Sequence, residues 1–288
     1  MNNDIGIYVI NLITAQKRKE NFIDRFKTSG ANINIFNWYQ PERNQENPEK
    51  GCFDSHQKVV ELAKNKGYNY ALIFEDDAIF LNNYVWNDVI LLINNFLNQY
   101  ENQYWKYFSL GYFPIRTRNT NDPKIIDILC GYDGHAYLVN LNEVKPMIYN
   151  GKGIDDEIFC QGTTSKDLSK KIKFNNKQGT YGSNPIIFGQ ELKDSFINNL
   201  HLGQKEFIGF YNNENNMLKA SNLTNTYHIY SFVIITFILL IVLCIIILLN
   251  YRYKCNISYR LWFLIFVLFI FSYIIIFIID YKWSIDQI

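Results

Sequence analysis

Three adjacent carboxylates, Glu75, Asp76 and Asp77, follow directly on the apolar run Tyr70-Ala71-Leu72-Ile73-Phe74. Neighbouring negative charges at the end of a buried segment repel one another and lose hydration, so they call for a positive partner. A hard divalent cation, Mn²⁺ or Mg²⁺, suits such an all-oxygen set. The bland alternative is an acidic turn facing solvent. A second acidic pair, Asp155-Asp156, has the chemistry to take a proton from a hydroxyl, or simply to cap a helix. His56 can contact a ligand or order its own loop. His135 can line a binding surface or act as a hydrogen-bonded core histidine. Arg18 can pair with an anionic ligand, pair with one of the three acids, or stay solvated on a helix.

These residues need elements to hold them. The apolar run before the acids reads as a short buried strand, and open α/β sheets bind ligands beyond the carboxyl ends of their strands. Residues 7–12 read as the first strand. Residues 16–28 read as a helix with Phe22, Ile23 and Phe26 on one face and Gly30 beyond its end. Residues 40–50, with Pro41 and Pro48, read as a loop. Ser55 is the expected N-cap of a helix running to Lys66, with Gly67 as its stop. Residues 85–96 read as a helix, 106–110 and 136–140 as strands, 141–150 as a short helix, and 155–161 as a helical turn or two. The alternation predicts an α/β domain over residues 1–226 with a mostly parallel central sheet.

Composition narrows the function classes. The 288 residues carry a formal net charge of +1, which gives no reason to expect nucleic acid as a partner. The five cysteines are scattered and contain no Cys-x-x-Cys pair, so they suggest neither a disulfide framework nor a zinc cluster. Five lysines between residues 166 and 177 read as a solvated surface more readily than as an anion site. No secretory signal is recognisable at the amino end.

Residues 227–288 differ from the rest. The segments 231–249 and 261–279 contain no charged residue, and each is long enough as a helix to cross a hydrocarbon core of about 30 Å. Tyrosines and tryptophans flank both segments, as they do at membrane interfaces. The expectation is a two-helix transmembrane anchor in a lipid bilayer. Arg252, Lys254 and Arg260 between the segments argue for a cytosolic loop. The missing signal argues instead for a cytosolic amino-terminal domain, which is the topology preferred from sequence.

Several stretches taken in order carry a resemblance. They are Ile7-Tyr-Val-Ile-Asn-Leu-Ile with the following Arg18, Gly51-Cys-Phe-Asp-Ser-His56, Ala71-Leu-Ile-Phe-Glu-Asp-Asp-Ala78, Gly131-Tyr-Asp-Gly-His-Ala-Tyr-Leu-Val139, Gly153-Ile-Asp-Asp-Glu157, and Asn184-Pro-Ile-Ile-Phe-Gly-Gln190 with Ser195. Their order over residues 5–198 resembles glycosyltransferase family 25, which includes lipooligosaccharide and procollagen galactosyltransferases. The family's Asp after the Ile-Asn-Leu step is missing from Ile13-Thr14-Ala15-Gln16-Lys17. The terminal hairpin lies outside the family's pattern.

The resemblance implies a GT-A-like nucleotide-sugar-binding fold, a UDP-sugar donor, a divalent metal and inversion at the anomeric carbon. It implies Asp77 as metal ligand. Glu75 is expected to share the metal, and Glu75 or Asp76 the donor ribose, with strand alternation placing Glu75 and Asp77 on one side. Asp155, with Asp156 in reserve, matches the expected base. Asn11, Arg18, His56 and His135 are the remaining donor or acceptor contacts, and His201 is a further metal candidate. The expected acceptor is a glycan, lipid or protein at a membrane. The competing reading is an inactive relative that binds a glycan or protein partner at the membrane.

Overall fold

In the computed structural model the described residues are 4–81, 83–149, 151, 153–160 and 179–191. The expected transmembrane segments, the lysine-rich stretch, Ser195 and His201 lie outside them. Among the described residues no helix is long and apolar enough to cross a membrane.

A six-stranded sheet carries the domain, with strand order β2-β1-β3-β6-β5-β7. Its strands are β1 (Ile5–Ile10), β2 (Phe36–Tyr39), β3 (Tyr70–Glu75), β5 (Tyr107–Asn119), β6 (Ile125–Asn140) and β7 (Thr180–Ser183). A small second sheet pairs β4 (Ala78–Phe80) with β8 (Phe188–Gln190). The helices are α1 (Gln16–Thr28), α2 (Pro48–Asn65) and α3 (Trp86–Tyr100).

The sheet is mixed, which corrects the mostly parallel expectation. β1 is parallel to β2 and β3, whereas β6 is antiparallel to both β3 and β5. The cause lies in the connections. Helices α1 and α2 give the long crossovers that parallel neighbours need, but only residues 120–124 join β5 to β6. Thr120 closes that turn, its Oγ1 2.7 Å from the Ile125 carbonyl oxygen.

Two faces of the sheet carry separate packing. Ile7, Leu72, Phe74, Leu138 and Phe108 join Phe22 and Phe26 of α1 and Val89, Ile93 and Phe96 of α3 in one buried cluster. The Phe26 ring touches Phe36, Phe74, Trp86 and Phe188, with centroids 5.2–5.9 Å apart. Each such aromatic pair adds roughly 0.5–1.5 kcal/mol beyond simple burial. The opposite face presents Tyr8, Ile73 and Tyr137 in one rung, and α2 covers it with buried Phe53, His56, Val59 and Ala63.

Two further expectations need correction. Helix α2 begins at Pro48, well before Ser55. Asn47 caps it by accepting the Lys50 N–H at 2.9 Å, and Pro48 occupies the first turn, where a missing N–H costs nothing. Ser55 lies inside the helix and donates to the Gly51 carbonyl. Residues 141–149 form a turn and irregular chain rather than a helix. Pro146 lacks an amide donor and disfavours helical geometry at Lys145, and the free Val144 carbonyl accepts Lys64 Nζ at 2.7 Å.

Candidate active site

Strand β3 pairs with β1 up to Ile10↔Glu75 and then stops, so Asp76 and Asp77 form the turn into β4. Strand alternation therefore does not sort the three acids. The same Arg18 Nη2 pairs with Asp76 Oδ1 and lies 2.9 Å from Asp77 Oδ2. Helix α1 brings Arg18 there, and Arg25, two turns on, donates to the Asp76 carbonyl at 3.1 Å. Arg25 also pairs with Glu191 at 2.6 Å. The Glu191 N–H bonds the Asp77 carbonyl, and Gln190 Nε2 donates to Asp77 Oδ2 at 3.1 Å. The end of β8 thus straps the acidic turn to α1.

Each acid has its own environment. Asp76 accepts Asn11 Nδ2 at 2.6 Å. Asn11 also donates to the Ala15 carbonyl and accepts Gln40 Nε2, so its amide is consumed inside the protein. Burial pushes the Asp76 carboxyl up to about 7, against the opposing pull of Arg18. Asp77 is buried, and its Oδ1 has no hydrogen-bond partner among the described residues. The Glu75 carboxylate is 21% exposed and faces His56 Nε2 at 3.0 Å. Burial first, then the charges of Asp77 and Asp155, hold it well above the usual carboxylate range.

The histidines differ. His56 is wholly buried, bridges Glu75 and the Tyr137 hydroxyl, and is pushed down to about 4 by desolvation. It is a neutral imidazole at pH 7. His135 lies in the core, its Nε2 3.2 Å from the Phe188 carbonyl oxygen. Any side chain at Gly111 would meet that ring at 2.4 Å, so glycine is required there to admit it.

Asp155 Oδ1 accepts the Gly134 N–H at 3.0 Å. It stands just before the single π-turn Asp156–Cys160. The Asp156 side chain lies outside those described. Sequence reasoning gave no role to Asp133, whose carboxyl is raised to about 8 by burial and by the charges of Asp155, Glu75 and Asp77. Its φ of 61° is left-handed, a region Asp tolerates better than most residues. The flanking Gly131 and Gly134 were the available signal. Cys52, Tyr137 and Gln190 were also missed as site residues, although each sits in a stretch that carried the resemblance.

A cavity of about 110 Å³ opens at this point, lined among others by Arg18, Cys52, His56, Glu75, Asp76 and Asp77. It is smaller than the ~300–1,000 Å³ clefts that enclose whole organic ligands. Its size, with Arg18 and the three acids in its wall, suits the charged part of a larger ligand.

Residues 4–126 match glycosyltransferase family 25, described as an LPS biosynthesis protein family. The domain is of glycosyltransferase type. The match spans Asn11, Arg18, Cys52, His56 and the three acids, and stops short of Asp133, Asp155 and Gln190. Among solved structures, a protein from STIV aligns at 11% identity over 69% of this chain and 98% of its own, with a TM-score of 0.37. A glycosyltransferase involved in glycosylation of the major capsid of PBCV-1 aligns at 12% identity over 47% of this chain and 59% of its own, with a TM-score of 0.29. Superpositions this loose add nothing about the chemistry. No curated protein matches the chain.

Proposed function

We propose that the protein is a metal-dependent, inverting glycosyltransferase that moves a hexose, galactose or glucose, from a UDP-sugar to a glycan, lipid or protein acceptor at a membrane. The observation that carries this reading is the buried acidic turn at the end of β3, where Asp77 Oδ1 has no partner among the described residues, inside a segment that matches a glycosyltransferase family.

The donor set fits a hard divalent ion. Asp77 Oδ1 has no hydrogen-bond partner among the described residues, and the adjoining Glu75 and Asp76 are also carboxylates, the ligand type that Mn²⁺ or Mg²⁺ prefers. Asp77 would hold the ion with Glu75 beside it. When bound, the ion supplies positive charge to the diphosphate leaving group as negative charge grows there. Arg18 holds Asp76 and Asp77 in place from α1, and its charge adds to the same field. Asn11 fixes Asp76 rather than reaching outward.

Asp155 is the base in this reading. Gly134 donates to one of its oxygens, and the other would accept the proton of the attacking hydroxyl. The segments 231–249 and 261–279 would anchor the domain beside its acceptor, with the domain on the cytosolic side.

Calorimetric titration of the full chain with UDP, with and without Mn²⁺, tests the central claim. Binding that needs the ion is expected, and metal-independent or absent binding rejects it. A screen of UDP-sugars for metal-dependent hydrolysis then identifies the donor.

A further inference from the structure

Cys52 and His56 sit one turn apart on α2, so both face the end of β3 where Glu75 stands. The Cys52 sulfur, a His56 ring nitrogen and a Glu75 oxygen all lie within 4.8 Å of one another. All three residues line the cavity. The Tyr137 hydroxyl lies 2.6 Å from His56 Nδ1. If that hydroxyl accepts, Nδ1 carries the hydrogen and Nε2 presents its lone pair towards Glu75. This is the tautomer of a metal-bound imidazole held by an outer hydrogen-bond partner.

We propose that Cys52 Sγ, His56 Nε2 and a Glu75 oxygen form a three-ligand site for a borderline cation of the zinc class. The site shares Glu75 with the oxygen-only position proposed at Asp77 but draws its other two ligands, a sulfur and a nitrogen, from α2. One sulfur, one nitrogen and one oxygen select Zn²⁺ over Mg²⁺ or Mn²⁺. Zinc bonds of about 2.0–2.3 Å place tetrahedral ligands roughly 3.3–3.8 Å apart, so side-chain shifts of about an ångström complete the site. The thiol proton leaves to solvent as the sulfur–metal bond forms, with no change of oxidation state. The fourth position faces the cavity and is open to water or a ligand oxygen. The proposal does not depend on the transfer reaction.

Co²⁺, a spectroscopic substitute for Zn²⁺, provides the test. Titrated into the chelator-treated full chain, one equivalent should give a thiolate-to-cobalt charge-transfer band that Zn²⁺ abolishes. Cys52→Ser should lose the band, and Asp77→Asn should keep it. Tyr137→Phe should weaken Co²⁺ binding about 10–100-fold. Ion-free thermal melts establish that each variant folds, and His56→Gln replaces Cys52→Ser if the latter does not. Absence of the band in the wild-type chain overturns the proposal. A band that survives Cys52→Ser also overturns it, because the thiolate then belongs to another cysteine.

Discussion

On the parallel side of the sheet, Asp76 meets the Asn11 amide and the Arg18 guanidinium. On the antiparallel side, the charges that reach Asp133 are those of Asp155, Glu75 and Asp77, all negative. The two sides deliver carboxylates to neighbouring positions in opposite electrical conditions. The parallel side carries its own compensation, built from a helix and a loop close in sequence. Among the described residues the antiparallel side does not, and the cation proposed at Asp77 would lie between the two. Arg18 already serves Asp76 and one oxygen of Asp77, and Asp77 Oδ1 has no hydrogen-bond partner among the described residues.

The largest expected effect tests whether the acidic turn depends on a rigid base. Phe26→Ala removes the ring shared by Phe36, Phe74, Trp86 and Phe188. It should cost about 3–5 kcal/mol of stability, read by denaturant unfolding. Asp77→Asn should lower kcat/KM for sugar transfer by about 10²–10³-fold at saturating Mn²⁺, a loss typical of removing one preorganised charge-stabilising contact. Full activity in that variant would end the distinction drawn at Asp77.

A third prediction concerns the uncompensated side. Asp133 has a folded value of about 8, above the unfolded carboxylate value near 4. The folded state therefore holds the proton more tightly, and stability falls as pH rises through that window. In chelator-treated protein Asp133→Asn should remove this loss. At pH 8 it should melt about 2–4 °C higher than the wild type, corresponding to about 1 kcal/mol. A pH-independent difference would show that repulsion at Asp133 is not the cause. A last effect, of similar size, tests the placement of Cys52 and His56 by the start of α2. Asn47→Ala removes the cap on Lys50 N–H and should cost about 1 kcal/mol, seen as a slightly lower melting temperature.

Much of the parallel half is legible in the sequence. Residues 16–28 form the expected helix, and the strand before the acids runs to Glu75. In both, periodic apolar residues end at a turn signal, and local preference agrees with packing. The long strands β5 and β6 are less legible. Residues 106–110 and 136–140 are only parts of them, and polar or glycine-rich stretches such as Arg116–Asn119 and Gly131–Gly134 disguise the remainder. Their register is interrupted by several bulges, which break the alternation that marks a strand. The first turns of helix α2 are hidden in the sequence because Pro41 and Pro48 read as loop residues, although proline is at home in a first helical turn.

By itself the sequence determined that three acids follow a buried strand, that α1 carries basic residues, and that the resemblance includes Asp77. Each is a local property of residue type and order. Tertiary structure alone decided that Arg18 reaches two of the acids, that Asn11 is spent on Asp76, and that His135 belongs to the core. It also brought Cys52 and His56 against Glu75. Those outcomes depend on helix–strand packing between residues distant in the chain, and on which carboxylates lose water together.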